Sequence, residues 1–265
     1  MSDKPPRRLR KVLWIVGLVA VAIAFLVAGA VLYLRARDST TEVSLDDAVS
    51  SFRDVGETDA PAPERPVPGV YVYETVGEES IDALGGSTHT YPDRTTMSIT
   101  LTDCGYRVRW DVFRERFDEL DLCMIPGGET VAATRQYREF FGFGNDRTYQ
   151  CDADAIVRAE PPTFDDTRST PCWADASEAE IRVTVVGREP IGVGGEEVDA
   201  LHILLETTLE GDVRGGSRLN YWADPETGLI FRRETSVSTD ADSPLGVTHY
   251  DEDYTVQLLS LTPQQ

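Results

Sequence analysis

The four cysteines of this 265-residue chain are the side chains whose chemistry depends most directly on spacing. Cys104, Cys123, Cys151 and Cys172 form no CxxC motif and have no histidine nearby, which argues against a metal site or a redox pair. Four cysteines permit three disulfide connectivities. We favour Cys104 with Cys123, which flank an apparent hairpin, and Cys151 with Cys172, which would staple the proline-rich stretch 152–171. Each bridge closes a loop of about 20 residues, for which the loss of chain entropy gives about 3 kcal/mol of stabilisation.

The other reactive residue types show no catalytic arrangement. The chain has only three histidines, His89, His202 and His249, and contains no GxSxG motif, no HExxH motif and no phosphate-binding glycine loop. Carboxylates are abundant, but the run 251–253 lacks the glycine and the distal glutamate of a calcium loop. The sequence therefore predicts no enzyme, no metal site and no cofactor. Glycosidase chemistry by two opposed carboxylates stays an open alternative, because nothing in the sequence selects a pair.

An apolar stretch near the N-terminus predicts on which side of a membrane the rest of the chain lies. Residues 12–34 carry no charge, and as a helix they would span about 34 Å, enough for a bilayer core of about 30 Å. Five basic residues and one acid precede the stretch. The positive-inside bias therefore predicts a cytoplasmic tail at 1–11, a single transmembrane helix at 12–34 and an extracytoplasmic remainder. Residues 28–30 resemble a signal-peptidase site, so cleavage and secretion are the alternative, although the apolar run continues to Leu34.

The extracytoplasmic part is strongly acidic. Beyond residue 37 the chain carries 18 arginines, no lysine and 45 acidic residues, which gives a net charge of −27. Such a surface repels nucleic acid and anionic lipid headgroups. We therefore predict no nucleic-acid partner, and a domain that its charge keeps soluble beside the membrane.

Residues 35–68 are predicted to form a juxtamembrane helix followed by a linker. Ser44 can cap a helix whose apolar face carries Leu45, Ala48, Val49 and Phe52. Acidic residues beside that face favour packing against the extracytoplasmic domain over packing on the membrane surface. Four prolines then predict a stiff, extended linker: Pro61, Pro63, Pro66 and Pro68.

From residue 69 to residue 265 the hydrophobic pattern is that of β-strands. The first half predicts strands at 70–76, 95–102, 106–112 and 117–125, a loop at 82–92, and a segment at 130–141 that fits a strand better than a short helix. The second half predicts five successive strands at 181–186, 198–208, 217–222, 229–237 and 248–261. Turn residues between them indicate an antiparallel meander. A sheet of about ten strands with one apolar face must curl, so we predict a mainly β domain shaped as a half-barrel or barrel.

Three sequence runs carry a resemblance to a known family. VGRE at 186–189, VDALHI at 198–203 and YWADPETGLI at 221–230 resemble the strand, strand and W-x-x-P-x-x-G-L pattern of the LolA-like periplasmic lipoprotein carriers. The resemblance covers about 60 residues and implies a curved antiparallel sheet whose concave face holds acyl chains. The chain also resembles single-pass membrane proteins of actinobacteria. Two features depart from the carrier family, the tethering helix and the two predicted disulfides.

These observations predict a membrane-anchored binding protein that holds a lipid, a lipoprotein or another hydrophobic ligand in the concavity of its sheet. The predicted cavity-lining residues are Tyr71, Tyr73, Trp110, Leu201, Ile203, Leu205, Trp222 and Phe231. The alternative is a structural or protein-interaction module of the cell envelope, in which the same aromatic side chains fill the core.

Overall fold

The structure is a computed structural model that describes residues 7–54, 65–152, 156–159, 164, 167–243 and 246–265. Most of the predicted cytoplasmic tail and the linker prolines Pro61 and Pro63 lie outside these residues. Two α-helices, one 3-10 turn and fourteen strands make up the described elements. The helices are α1 (Arg7–Ala36) and α2 (Leu45–Asp54), and the 3-10 turn is Ala83–Gly85. The strands are β1 (Gly69–Ile81), β2 (Ser87–Thr90), β3 (Arg94–Leu101), β4 (Gly105–Phe113), β5 (Arg116–Ile125), β6 (Gly128–Phe140), β7 (Phe143–Cys151), β8 (Ile156–Ala159), β9 (Thr167–Ala174), β10 (Ser177–Val193), β11 (Glu196–Gly211), β12 (Val213–Ala223), β13 (Ile230–Ser243) and β14 (Gly246–Leu258).

The strands form one antiparallel sheet that closes on itself. Neighbours follow the order β14-β13-β12-β11-β10-β9-β7-β6-β5-β4-β3-β1, and β14 also pairs with β1. β2 pairs with the C-terminal end of β1, and β8 pairs with β6 outside the ring. The prediction of a curved antiparallel sheet is therefore confirmed, and the sheet is a closed barrel with β10 to β14 as a continuous meander.

Helix α1 contains the predicted membrane span and is longer than that span at both ends. Its stretch Val16–Ala36 has a mean hydropathy of 2.6, and none of that stretch is buried inside the protein. By length and composition this helix can cross a membrane, a property that a signal sequence shares. α1 ends at Ala36 against one end of the barrel, which we call the α1 end.

Helix α2 packs on the barrel, as its acidic composition predicts. The Asp47 amide donates to Ser44 Oγ at 3.1 Å, so Ser44 caps the helix. Ala48 is buried, and the helix contacts β1 and β3. At the other end of α2, Arg53 Nη2 donates to the Gln265 carbonyl at 2.6 Å. Helix α2 is thus part of the domain.

Strands also form in regions where the sequence predicts none. The predicted loop at 82–92 contains the 3-10 turn and β2, because glycines 85 and 86 form a turn with positive φ that lets β2 pair back onto β1. The proline-rich stretch 152–171 is held by more than the disulfide, because β9 forms eight residue pairs with β10. Pro171 is accommodated in β9, where its carbonyl accepts a hydrogen bond from the Asp152 amide at 3.1 Å. Parts of this stretch, 153–155, 160–163 and 165–166, lie outside the described residues.

Both disulfides have the connectivity that the sequence favours. Cys104 is bonded to Cys123, at the open end of the β4–β5 hairpin. Cys151 is bonded to Cys172, which joins β7 to β9. These two strands share only two residue pairs, Gln150 with Trp173 and Cys151 with Cys172. The bridges indicate a domain that folds in an extracytoplasmic, oxidising compartment.

Candidate functional site

A cavity of about 820 Å³ lies inside the barrel, at its α1 end. Most of its wall is apolar, and strands all around the barrel contribute to it. The apolar lining residues on β10, β11 and β12 include Ala179, Ile181, Leu205, Leu209 and Leu219. Leu34 of α1, Leu84 of the 3-10 turn and Phe141 line it at the α1 end. The exposed Phe143 is also among the lining residues, so the cavity reaches the protein surface beside the β6–β7 turn.

Two of the eight predicted lining residues, Trp110 and Leu205, lie in the cavity wall. The other six do not. Five of them fill the barrel at the end opposite α1, where each is at most 3% exposed: Tyr71, Tyr73, Leu201, Ile203 and Phe231. There the Tyr73 hydroxyl donates to the Ile230 carbonyl across the core at 2.6 Å. Strand alternation identifies which face a residue occupies, but it does not show at which level along the barrel the core is filled.

Trp222, the sixth, lies on the outer face of the barrel. Its ring stacks on His202 of the neighbouring strand, with the ring centroids 4.4 Å apart, and its indole N–H donates to Glu189. Tyr221, the preceding residue, lines the cavity. Since successive strand residues face opposite sides of a sheet, Trp222 has to point outward.

A buried ionic cluster, which the sequence pattern did not predict, crosses the barrel interior. Glu79 of β1, Arg116 of β5 and Glu252 of β14 are each at most 1% exposed. Arg116 Nη2 donates to Glu252 Oε1 at 2.7 Å, and Arg116 Nε lies 3.4 Å from Glu79 Oε2. A period-2 pattern could have revealed these residues, because Glu252 shares its strand face with Tyr250 and Tyr254.

Three further charged residues continue this cluster as far as the cavity. Arg116 Nη1 is 2.9 Å from Asp118 Oδ1, and Arg138 Nη2 donates to Glu252 Oε2 at 3.2 Å. Arg233 Nη2 lies 3.5 Å from Asp118 Oδ2, the longest contact of the set. Asp118, Arg138, Arg233 and Glu252 all line the cavity. The cavity wall therefore combines buried charged side chains with apolar ones.

The arginines keep Asp118 and Glu252 ionised. Burial raises the pKa of both carboxyl groups, but the positive charges of Arg116 and Arg138 together outweigh burial and hold both pKa values below their usual range. Asp118 and Glu252 therefore stay negative at neutral pH. The ionic cluster consists of six charged residues: Glu79, Arg116, Asp118, Arg138, Arg233 and Glu252.

His89 links the ionic cluster to the segment that follows α1. Its Nδ1 lies 3.1 Å from Glu79 Oε1, and its Nε2 lies 3.3 Å from Asp38 Oδ1. Asp38 Oδ1 also accepts a hydrogen bond from the Phe141 amide at 2.8 Å. Burial lowers the pKa of His89, but the hydrogen bonds and charges of Glu79 and Asp38 raise it further, so its net shift is upward. When it is protonated, the ring pairs with both carboxylates and holds the segment after α1 against the barrel.

This geometry predicts a pH-dependent stability with a definite sign. A histidine whose pKa is raised by folding contributes fully below its unfolded pKa of about 6.5, and the contribution is lost as pH rises through the folded pKa. We expect the thermal midpoint of the full chain to fall as pH rises above about 6.5. In His89→Gln this part of the pH dependence should disappear.

His249→Gln is the control for that experiment. The pKa of His249 is also raised, by hydrogen bonds and charges of Asp240 and Asp251, but its side chain is exposed and should contribute little. Thermal unfolding followed by tryptophan fluorescence across this pH range measures both variants. An unchanged pH profile in His89→Gln would contradict the assignment.

Comparison with known proteins gives a distant structural likeness. The chain is similar to the crystal structure of the hypothetical lipoprotein YmcC from Escherichia coli K12. The sequence identity is 11%, the match covers 81% of this chain and 97% of that chain, and the TM-score is 0.35. No family model matches the chain, and neither does any curated protein. The resemblance to the LolA-like carriers and to actinobacterial membrane proteins stays a prediction.

The histidines and carboxylates of the described residues form no metal-ligating cluster. Within the described residues, no three His, Cys, Asp or Glu side chains converge as a metal site. His202 stacks on the outer face, and His249 lies between two aspartates on the surface. The cavity is lined by apolar side chains and by buried hydrogen-bonding groups, and this combination suits an amphipathic ligand.

Proposed function

We propose that this protein is a membrane-anchored extracytoplasmic binding protein that holds a lipid or another hydrophobic ligand inside its barrel. The observation that carries the proposal is the cavity of about 820 Å³ with its apolar wall. Ligand pockets in proteins occupy about 300–1,000 Å³ and are lined mainly by apolar side chains. An acyl chain of a lipid or of a lipoprotein fits this chemistry, and binding rather than catalysis is the proposed activity.

Two further observations support the proposal. An apolar cavity left empty lowers stability roughly in proportion to its volume, because the side chains around it lose packing contacts. A ligand would restore these contacts. In addition, Leu34 at the end of α1 lines the cavity, so the proposed membrane anchor and the proposed binding site are adjacent. The alternative function, an envelope interaction module with a filled core, accounts for the barrel end opposite α1 but not for the cavity.

A matched pair of substitutions tests the proposed function. Thr207 of β11 lines the cavity, and the next residue, Thr208, is exposed on the outer face. Thr207→Trp should fill part of the cavity and displace the ligand, whereas Thr208→Trp adds the same bulk outside. We expect solvent extracts of the purified full chain to contain at least tenfold less bound ligand for Thr207→Trp than for wild type or Thr208→Trp.

Mass spectrometry of the extracts identifies and quantifies the ligand. Because both variants keep α1, lipid bound around the helix is the same in each and does not affect the comparison. Equal lipid content in wild type and both variants would contradict the cavity proposal and favour the interaction module. A thermal melt of each variant checks that the barrel is folded.

A further inference from the structure

We infer that the α1 end of the barrel is a membrane-contact surface, through which the cavity takes up lipid directly from the adjacent leaflet. This inference rests on the proposed function and specifies the source of the ligand, a lipid of the same bilayer that α1 spans. The contact surface contains the 3-10 turn, the β6–β7 turn and the β13–β14 turn, which surround the cavity at this end.

The end of the proposed span coincides with the start of the cavity. Leu34 is the last residue of the uncharged stretch and lines the cavity. Tyr33 is 63% exposed, and tyrosine is enriched where a span leaves the hydrocarbon core. Arg35 follows directly, as basic residues do at the boundary with the lipid headgroups. The cavity therefore begins at the depth where the hydrocarbon core ends.

The segment after the span is bound to the barrel. Arg35 Nε donates to the Leu84 carbonyl at 3.1 Å, and its Nη2 donates to the Gly85 carbonyl at 3.0 Å. Asp38 Oδ1 accepts the hydrogen bond from the Phe141 amide at 2.8 Å. These contacts attach the end of α1 to the 3-10 turn and to the β6–β7 turn. The cavity opening is therefore held close to the membrane.

Helix α1 projects away from the barrel and does not pack along its side. Residues 16–30 are exposed, and only from Val31 onward are side chains of α1 half-buried. Leu34 packs there against the small apolar cluster that contains Phe141 and Tyr250. Because the side wall of the barrel does not run beside the span, a membrane crossed by α1 meets the barrel at its α1 end.

Exposed apolar side chains border the cavity at this end. Phe143 is 66% exposed and lines the cavity. Val247 is 61% exposed and precedes Thr248, another lining residue. The Asp82 amide donates to the carbonyl of His249 at 3.0 Å, which places this part of β14 beside the 3-10 turn. A membrane surface would cover these apolar groups and remove them from water.

This placement offers a lipid a path that avoids water. Exposing an acyl chain to water is unfavourable for every CH₂ group, which makes the passage of a lipid between separate membranes slow. Direct uptake from the adjacent leaflet keeps the chain in an apolar environment. The strongly acidic surface of the domain gives no attraction to anionic headgroups, so the contact depends on α1 and on the exposed apolar side chains.

Photo-crosslinking of the full chain in phosphatidylcholine vesicles tests the route. Phosphatidylcholine with a diazirine on its acyl chain is placed either in the same vesicles as the protein or in separate, protein-free vesicles. Mass spectrometry then follows labelling of three cavity-lining residues, Ile181, Leu205 and Leu219. We expect these residues to be labelled at least about tenfold faster from the same vesicles, because that route avoids water.

A flexible insertion tests whether the opening must lie at the membrane. A Gly/Ser segment of about 20 residues between Ala36 and Arg37 keeps α1 and the barrel but separates them by about 25 Å on average. We expect labelling of the cavity from the same vesicles to slow at least about fivefold, because the lipid must then cross water. The same insertion between Gly195 and Glu196, in the turn at the opposite end of the barrel, is the control and should leave the rate unchanged.

A charge at the opening gives a second test that changes one residue. Phe143→Asp places a negative charge in the proposed contact, and we expect labelling from the same vesicles to slow about threefold or more. Val76→Asp is the matched control, because Val76 is 73% exposed and lies on the outer face of β1. Labelling from detergent micelles should be equal in all these variants, which shows that the cavity is intact.

The outcomes separate this inference from the proposed function. If the cavity is labelled equally fast from separate vesicles, or if the insertion after Ala36 has no effect, the membrane contact is wrong and the cavity proposal stands. Disulfide-linked dimers of Phe143→Cys in vesicles would show that a second copy covers this surface and would also overturn the contact. If no lipid source labels the cavity and Thr207→Trp loses no ligand, the proposed function itself is overturned.

Discussion

Replacing Arg116 by methionine is expected to lower the free energy of unfolding by about 3–5 kcal/mol, the largest effect of any single substitution considered for this protein. Arg116 is fully buried and contacts Glu252, Asp118 and Glu79. Methionine keeps most of the side-chain volume but leaves carboxylates buried without their cation. Urea unfolding of the full chain in detergent, followed by tryptophan fluorescence, measures the loss.

Arg107→Met is the control for this measurement. Arg107 lies on β4 and forms a bidentate pair with Asp121 across the β4–β5 ladder, with Nε–Oδ1 and Nη2–Oδ2 distances of 2.5 and 2.8 Å. Its side chain is 43% exposed, so the free energy of unfolding should fall by no more than about 1 kcal/mol. If the free energy of unfolding fell by similar amounts in the two variants, the ion pairs of Arg116 would contribute no more to stability than an exposed pair.

Arg116→Met also bears on the cavity. Arg116 holds Asp118 and Glu252 in place, and these two side chains are part of the cavity wall. A variant that remains folded should therefore have an altered wall.

The parts of the fold that local sequence pattern controls could be predicted. Alternation identifies the meander β10 to β14, because inward apolar and outward polar residues alternate along each strand. The disulfide connectivity follows from a hairpin and from a loop, both short-range features. Ser44 could be recognised as a helix cap because capping depends on a few adjacent residues.

The position of the cavity along the barrel and the ion pairs within the cluster could not be predicted, because both depend on contacts between distant parts of the chain. Arg116 and Glu252 are 136 residues apart in sequence and meet only when β14 closes the ring against β1. In the same way, Tyr73 and Trp110 both face inward, yet only Trp110 reaches the cavity. The level of each side chain along the barrel depends on strand register, which a single sequence does not specify.

Removing the Cys151–Cys172 disulfide is the second change expected to have a large effect. The double substitution Cys151→Ser with Cys172→Ser opens a loop of 21 residues and should lower the free energy of unfolding by about 3 kcal/mol. It should also open the barrel locally, because β7 and β9 share only two residue pairs and the bridge joins one of them. Amide hydrogen exchange should therefore accelerate at residues 149–152 and 170–173.

The double substitution Cys104→Ser with Cys123→Ser separates these two effects. The sequence separation of this pair is 19, so the global loss should again be about 3 kcal/mol. β4 and β5, however, share eight residue pairs, which should keep hydrogen exchange in that hairpin close to wild type below the unfolding transition.

Tyr149 of β7 and Ile181 of β10 line the cavity on either side of β9, so opening the β7–β9 junction should also speed the release of bound ligand. Equal hydrogen exchange and equal release rates in the two double variants would show that the Cys151–Cys172 bridge does not close the cavity wall.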